Sequence, residues 1–379
     1  MQAAGRAARD DFPSGPTFGL VAVIAIVIAG LWSVDLFLAR TEHDAVQSEA
    51  GALYQQGETL LQQGRAGQAV DALRRANSMV RDNRAYQLAY VTALVTAGRL
   101  DDADANLKTL LQADPNNGRA NLEAARLMVK ERKIADAESH YHRAIYGAWP
   151  DNAPSHRMAA RMELADLLAS RGERQELLAE LLAIQAEAHD APTLQKIAPL
   201  YLKAGSPQRS AEVYRELVRR NPGDALACTG LGSAELAEGD YHAALTAFQN
   251  AIEEGAEDPA IEHDIELAKT ITALDPTPRR LRSSEKYARS TQILKLARDA
   301  LARCVNSGHP ANANELQQMI ADADKVLAAK PPAHVTNELA EARLTLAEQL
   351  WQGRMKACGG SANGQEEALR LILAKLSHS

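Results

Sequence analysis

Residues 225–252 read ALACTGLGSAELAEGDYHAALTAFQNAI, and this stretch decides the fold of the chain. Gly239 divides it into two segments with helical spacing of apolar residues, because glycine adopts the left-handed conformation that ends a helix without steric cost. Gly232 and Ala244 are small enough to let two helices cross closely, and Phe248 fills the space beside that crossing. The stretch therefore predicts two antiparallel helices joined by a tight turn.

This arrangement resembles a tetratricopeptide (TPR) repeat, a helix–turn–helix unit of about 34 residues. The same spacing recurs in units that begin at residues 50, 84, 118, 158, 191 and 225. The longest interval, 118 to 158, holds an insertion, Trp149-Pro150-Asp151-Asn152-Ala153-Pro154, whose prolines are expected to interrupt the helices. One unit cannot bury its apolar face alone, so the units must stack. We predict an all-α solenoid of about six repeats over 50–274, closed by a solvating cap helix at 258–274.

Composition agrees with stacked helices. The chain has 379 residues, of which 46% are hydrophobic and only 4% aromatic, and its net charge is −7. Acidity of this size favours solubility and disfavours general binding of nucleic acid, whose phosphates are also negative. We therefore expect no nucleic-acid partner.

An apolar segment near the N-terminus predicts a membrane anchor. Residues 18–39 are interrupted only by Ser33 and Asp35 near the end, and the segment is long enough to cross a bilayer core as a helix. A cleaved signal peptide is the alternative, but no good small-x-small cleavage site follows. We predict an uncleaved transmembrane helix over 18–39, with a disordered segment before it and a linker after it, at 1–17 and 40–49.

The charges that flank the anchor predict its orientation. Arg6 and Arg9 precede it, whereas only Arg40 lies directly after it. The positive-inside rule then predicts that the N-terminus lies on the inner, cytoplasmic side of the inner membrane and that the repeats lie in the periplasm of a bacterium. Small residues also recur every four positions in the anchor, a spacing that could allow weak self-association: Ala25, Ala29 and Ser33.

A second helical region follows the repeats. The sequence DPTPRRLR at 275–282 breaks the helical pattern, so we predict a Pro/Arg-rich linker at 275–283 and a small helical domain over 284–379. Apolar residues at helical spacing predict four helices in that domain, at about 284–304, 314–330, 336–357 and 365–376.

The three cysteines fall in different settings. Cys228 occupies a core position of the last repeat, which predicts a buried free thiol. Cys304 and Cys358 each lie at the end of a predicted helix, and in an up–down–up arrangement both ends meet on the same side. A Cys304–Cys358 disulfide is therefore geometrically allowed, and an extracytoplasmic compartment would permit it. Two inert core cysteines fit the sequence equally well.

The sequence contains few residue patterns that indicate catalysis or the binding of a metal or cofactor. It has no CxxC pair, GxxxxGK[ST], GxGxxG or GxSxG motif, so we expect no metal, cofactor or catalytic site. His140 and His142 point to different faces of one predicted helix, as do Glu262, His263 and Asp264. Both groups are interpreted as solvated helix surface.

The resemblance to TPR proteins implies a partner groove. In that family, positions 2, 5, 9, 12 and 13 of the first helix of each repeat usually face a bound peptide. The groove residues implied here are Tyr54, Glu58, Leu88, Thr92, Arg119, Leu122, Arg126, Lys130, Met162, Asp166, Gln195, Lys203, Thr229 and Ser233. The family's carboxylate clamp needs asparagine at position 9, which this chain lacks, so that role is not implied. Arg119, Arg126 and Lys130 form a basic patch that could hold an acidic peptide.

These features predict a non-catalytic, membrane-anchored scaffold or adaptor for a protein or peptide partner. The plan resembles bacterial single-pass proteins with a periplasmic TPR domain, which implies a role in envelope assembly, secretion or protein quality control. The alternative is an enzyme, or an enzyme-regulating subunit, whose C-terminal domain acts on partners that the repeats recruit. A deep pocket with converging polar residues in that domain would favour the alternative.

Overall fold

The computed structural model describes residues 16–308, 313–332, 334–359 and 364–377. Most of the predicted disordered segment 1–17, including Arg6 and Arg9, lies outside these residues. Within the described part of the chain there are seventeen helices and no β-strand, so the predicted all-α class is confirmed. The chain divides into two compact units, residues 1–161 and 162–379.

The first unit consists of helices that pair in chain order. They are α1 (Pro16–Gln62), α2 (Ala66–Met79), α3 (Arg84–Thr96), α4 (Leu100–Ala113), α5 (Gly118–Lys130), α6 (Ile134–Tyr146) and the start of α7 (Ala153–Arg171). We call the odd-numbered helices up to α13 the A helices and the even-numbered helices up to α12 the B helices. In this unit α1, α3 and α5 each pack against the following B helix, and α3 also packs against both α1 and α5. The A helices α1, α3 and α5 therefore share one face, which we call the A-helix face.

The second unit continues the alternation and ends in a helical bundle. After the remainder of α7 come α8 (Arg174–Glu187), α9 (Ala191–Lys203), α10 (Pro207–Arg220), α11 (Ala225–Glu238), α12 (Tyr241–Glu253), α13 (Pro259–Leu274), α14 (Ser283–Gly308), α15 (Ala313–Ala328), α16 (Asn337–Cys358) and α17 (Gly364–Ser377). The last four helices begin and end within a few residues of the bounds that apolar spacing predicts.

The turn from each A helix to its B helix has one backbone conformation throughout. Its φ lies between +72° and +89° at five glycines: Gly64, Gly98, Gly172, Gly205 and Gly239. Arg132 holds the same place in the third repeat, with φ at +62°. Glycine has no Cβ to clash in this left-handed region, so Arg132 is the strained member of the series.

Five of the seven A helices also start alike. An Asn or Asp directly before the helix accepts a hydrogen bond from a backbone N–H of the first turn, at Asn83, Asn117, Asp190, Asp224 and Asp258. Such a cap satisfies a donor that has no partner inside the helix. Apart from the interval across the insertion, these caps recur every 34 residues, which is the repeat length.

Glycines allow the two helices of a repeat to cross closely. A Cβ added at Gly232 would lie 2.5 Å from the ring of Phe248, and one at Gly57 would lie 2.4 Å from Cγ of Leu73. Phe248 and Leu73 are both fully buried. The close crossing predicted at Gly232 is therefore present, and it also occurs in the first repeat.

Two segments differ from the prediction. Residues 40–49, expected to be a linker, are helical, because α1 runs unbroken from the apolar segment through Gln62. The fourth A helix begins at Ala153 rather than 158, with Pro154 in its first turn, where the missing N–H of proline has no cost. The insertion folds back on α5, since Gly118 N donates to Ala148 O at 2.9 Å.

The C-terminal helices share a core with the end of the repeats. Leu267 and Ile271 of α13 lie in one hydrophobic cluster with Leu294, Leu350 and Leu369. The prediction that α13 is a solvating cap is therefore wrong, because its second apolar face packs against the bundle instead of water. The division at 275–283 stays a prediction about sequence segments, since the core continues across it.

Candidate functional site

The A-helix face of the first unit is tied together by polar and aromatic contacts between repeats. The rings of Tyr54 and Tyr86 stack with centroids 5.0 Å apart. The hydroxyl of Thr92 donates to Glu123 Oε1 at 3.0 Å. Tyr86 and Glu123 were not among the predicted groove residues. They lie at positions 3 and 6 of their repeats, where only packing against the preceding A helix brings them onto this face.

Charged side chains cross the same face. Arg119 Nη2 lies 3.8 Å from Glu58 Oε1, and this contact joins α5 to α1. Arg126 Nη1 lies 2.8 Å from Glu123 Oε1, whose side chain is almost fully buried. Lys130 is exposed one turn beyond Arg126. Within the predicted basic patch, two of the three cations therefore already face a carboxylate.

Two predicted groove residues do not reach the surface. Leu88 is 7% exposed and Leu122 is 6% exposed. Both occupy position 5 of their repeats. They belong to the floor of the face and offer no side chain to a partner, unlike Tyr54, which is half-buried at the same position of the first repeat.

In the second unit the predicted groove residues are mainly polar. Asp166, Gln195 and Lys203 are exposed, and Met162, Thr229 and Ser233 are half-buried: these are the six predicted members in this unit. The amide of Gln195 donates to Asp224 Oδ2 at 3.0 Å. That contact ties α9 to the residue that caps α11, so it contributes to stacking. Contact of these six groove residues with a partner stays a prediction.

A buried carboxylate lies between α10 and α11. Glu235 is 2% exposed, and its Oε1 is 2.6 Å from Nη2 of Arg215. Burial raises the pKa of Glu235, and Arg215 opposes that rise. Removal of the Arg215 charge would leave a buried carboxylate without its cation, which is costly, so we assign Glu235 to repeat packing.

His140 differs from its interpretation as solvated surface. It is half-buried, and its Nδ1 is 2.9 Å from Oδ1 of the fully buried Asn121. Burial lowers the pKa of His140. The pair joins α5 to α6, which explains a polar residue at a core position of α5. Among the described residues, no group of three or more His, Cys, Asp or Glu side chains is arranged to hold a metal ion.

Comparison with known proteins addresses the repeats directly. Family models for the tetratricopeptide repeat match residues 94–148 and 196–259. The chain is a tetratricopeptide-repeat protein. The two matched stretches cover the second and third repeats and the fifth and sixth, and they belong to different structural units.

Solved TPR structures resemble the chain only distantly. YrrB, described as a TPR protein with an unusual peptide-binding site, is 15% identical, with 51% of this chain and 97% of that chain covered and a TM-score of 0.42. A TPR protein from Parabacteroides merdae is 13% identical, with 79% and 99% covered and a TM-score of 0.39. The C-terminal part of a TPR protein from Cytophaga hutchinsonii is 11% identical, with 64% and 94% covered and a TM-score of 0.44. No curated protein matches the chain.

The bundle that follows the TPR array carries the two remaining cysteines. Cys304 and Cys358 form a disulfide at the ends of α14 and α16, with Cα atoms 6.0 Å apart. Beside it, Glu366 is buried between two arginines, 2.7 Å from Arg354 Nη2 and 2.9 Å from Arg303 Nη2. Cys228 is a buried free thiol in the last repeat, where burial raises its pKa.

A cleft of 500 Å³ lies where the last TPR repeat meets this bundle, and its lining includes Tyr241, Asp275 and Lys375. Three of its polar residues, Asp275, Thr277 and Lys375, bind one another. Asp275 accepts from the Thr277 backbone at 2.8 Å and from Lys375 at 2.9 Å. Burial opposes ionisation of Asp275, but these hydrogen bonds prevail and lower its pKa. Asp275, Thr277 and Lys375 are therefore already paired with one another within the cleft.

Proposed function

We propose that this TPR protein is a non-catalytic, membrane-anchored adaptor that holds a protein or peptide partner on its A-helix face. The supporting observation is the continuity of α1. From Leu20 to Leu38 its large apolar side chains are uncovered, with exposed fractions between 48% and 70%, and the same helix then forms the first repeat. Burial of so much apolar surface in lipid removes the cost of its contact with water.

Because α1 is unbroken, it fixes the distance between its apolar segment and the A-helix face. At 1.5 Å per residue, Tyr54 lies about 24 Å along the helix from Leu38, the end of the apolar segment. No flexible linker intervenes, so Tyr54 and Glu58 are held at a fixed distance and rotation relative to the anchor. This geometry suits a partner in the same membrane or in a complex attached to it, in envelope assembly, secretion or protein quality control.

The chemistry of the face suits a protein partner. Tyr and Arg are enriched among the residues that dominate binding energy at interfaces. Here Tyr54, Tyr86 and Arg119 lie partly exposed on adjacent A helices. An arginine held 3.8 Å from its carboxylate, beyond hydrogen-bond distance, retains donors for a ligand.

Site-specific photo-crosslinking in cells tests partner binding. A crosslinking amino acid in place of Tyr54 should capture a discrete protein, and Arg119→Ala with Arg126→Ala and Lys130→Ala should reduce that product several-fold. A crosslinker at Asp71, on a B helix, should not give the same product. An unchanged product in the triple variant would argue against this face.

The matched control removes the same charge elsewhere in the first unit. Arg74, Lys108 and Arg143 are exposed on the B helices α2, α4 and α6. Their simultaneous change to alanine alters net charge as much as the triple variant on α5 does. Equal loss of crosslinking in both variants would indicate a general electrostatic effect instead of a site.

Reporter fusions test the proposed location. We propose that the N-terminus lies on the cytoplasmic side of the inner membrane and that the TPR array lies in the periplasm. Alkaline phosphatase fused after Ser379 should then be active, while green fluorescent protein at the same point should be dark when exported through the general secretory route. Cytoplasmic fluorescence would reverse the topology, and release of the chain by carbonate extraction would refute the anchor.

A further inference from the structure

By the A-helix face of α13 we mean the side chains at its repeat positions 9 and 13. These are covered, whereas the same positions are exposed or half-buried on the six A helices before it. At position 13 of the repeat the six preceding side chains are all exposed: Gln62, Thr96, Lys130, Ser170, Lys203 and Ala237. The equivalent residue of α13, Ile271, is 0% exposed. At position 9, Leu267 is 7% exposed, although its six counterparts are exposed or half-buried. Something therefore occupies this face at the end of the array.

The occupant is the C-terminal helix. Leu369 and Ile372 of α17 lie in the same hydrophobic cluster as Leu267 and Ile271. Near the helix starts, His263 Nε2 is 3.6 Å from Glu367 Oε2. Near the helix ends, the Asp275–Lys375 pair described above makes a second link. The two links show that α17 runs parallel to α13 and along its length.

α17 has the composition of an amphipathic helical ligand. Its buried residues recur at the spacing of one helix face, at Ala368, Leu369, Ile372 and Leu373. Acidic residues lie in its first turn and Lys375 lies in its last, an order that also suits the helix dipole. Helices of this kind bind protein grooves through apolar residues at i, i+3 and i+4.

α14 and α16 of the bundle are held together independently of α17. α14 and α16 make the most extensive helix–helix contact in the described chain. The Cys304–Cys358 disulfide joins their ends directly before α17 begins. Departure of α17 would break its ion pairs through Glu366 but would leave α14 and α16 covalently joined.

We propose that α17 is a built-in occupant of the A-helix face of α13, and that this face is a binding site for an amphipathic helix of a partner. The partner helix has apolar residues at the spacing of α17, an acidic first turn and a basic last turn. It binds when α17 opens, so α17 competes with it. This inference rests on the proposed adaptor function and names one class of partner for it.

Hydrogen exchange of the full chain in detergent micelles tests the first part of the proposal, that α17 is a separable occupant of the α13 face. If α17 is a separate occupant, its amides exchange faster than those of α14 and α16 through local opening. Ile372→Asp, which places a charge against α13, should release α17 and leave α14 and α16 protected. Ala374→Asp adds the same charge at an exposed position of α17 and should leave it bound. Joint loss of protection in α14, α16 and α17 would overturn the proposal, because α17 would then be part of the bundle core.

A peptide tests the second part of the proposal, that the α13 face binds an amphipathic helix of a partner. A fluorescein-labelled peptide of residues 364–377 should bind Ile372→Asp at least roughly tenfold more tightly than wild type, because wild-type affinity is reduced by the fraction of molecules with α17 closed. A peptide carrying the same Ile372→Asp change should not bind. Equal binding to wild type and variant, or none to either, would overturn the helix site. Crosslinking at Tyr54 is independent of α17, so the adaptor function would survive that failure.

Discussion

Arg132 is the one non-glycine residue at the A-to-B turn of the repeats, and its replacement tests whether this turn limits stability. Five repeats have glycine at that position with φ between +72° and +89°, and Arg132 is held at +62°. We predict that Arg132→Gly stabilises the protein. The change relieves the contact between Cβ and the backbone that disfavours the left-handed region for other residues.

The size of the effect follows from two opposing terms. A residue with a Cβ loses about 1–2 kcal/mol in the left-handed region. Glycine at the same place loses about 0.5–1 kcal/mol more chain entropy on folding. The difference favours Arg132→Gly by about 0.5–1 kcal/mol, or roughly 1–3 °C in Tm for a unit of this size. The reverse change, Gly98→Arg, should cost about 1 kcal/mol, because nothing lies within 4 Å of a Cβ at Gly98 and the cost is conformational alone.

Differential scanning calorimetry of the full chain in detergent measures both changes. Arg132→Ala is the control, since it removes the charge but keeps the Cβ, and it should leave Tm within about 1 °C of wild type. A rise in Tm for Arg132→Ala equal to that for Arg132→Gly would show that charge is the cause. A fall in Tm for Arg132→Gly would refute the argument from backbone strain.

Three further changes test packing. Gly232→Ala should destabilise the last repeat by about 1–3 kcal/mol in urea melts, since its Cβ would lie 2.5 Å from Phe248, and an unchanged midpoint would mean that the crossing is loose. Glu366→Ala should cost about 3–5 kcal/mol by removing the carboxylate that neutralises the buried guanidinium of Arg354, while Glu366→Gln should recover part of the loss. Protein isolated without reductant should show no free thiol at Cys304 or Cys358 by intact mass after alkylation. Reduction should lower stability by about 4 kcal/mol for the 54-residue separation. Two alkylated thiols would contradict the disulfide and weaken the proposal that the TPR array is periplasmic.

The repeat architecture could be predicted from local sequence because its determinants are local. Gly232, Gly239 and Phe248 specify a crossing, a turn and a filled core within one 34-residue unit, and the same spacing recurs along the chain. The helices of the C-terminal bundle were also predictable, because each carries its own apolar face and its own stop residues. Neither prediction required knowledge of which helix packs beside which.

The accessible side chains of the A-helix face could be identified only from the tertiary structure. Leu88 and Leu122 match groove positions in sequence, but both side chains are buried in the fold. Tyr86 and Glu123 lie outside those positions, and packing against the preceding repeat brings them to the face. The sequence by itself determined the helices, their pairing within each repeat and an apolar segment long enough to span a membrane. Only the tertiary structure decided which side chains stay accessible and that α17 covers α13, because accessibility depends on neighbours that are distant in the chain.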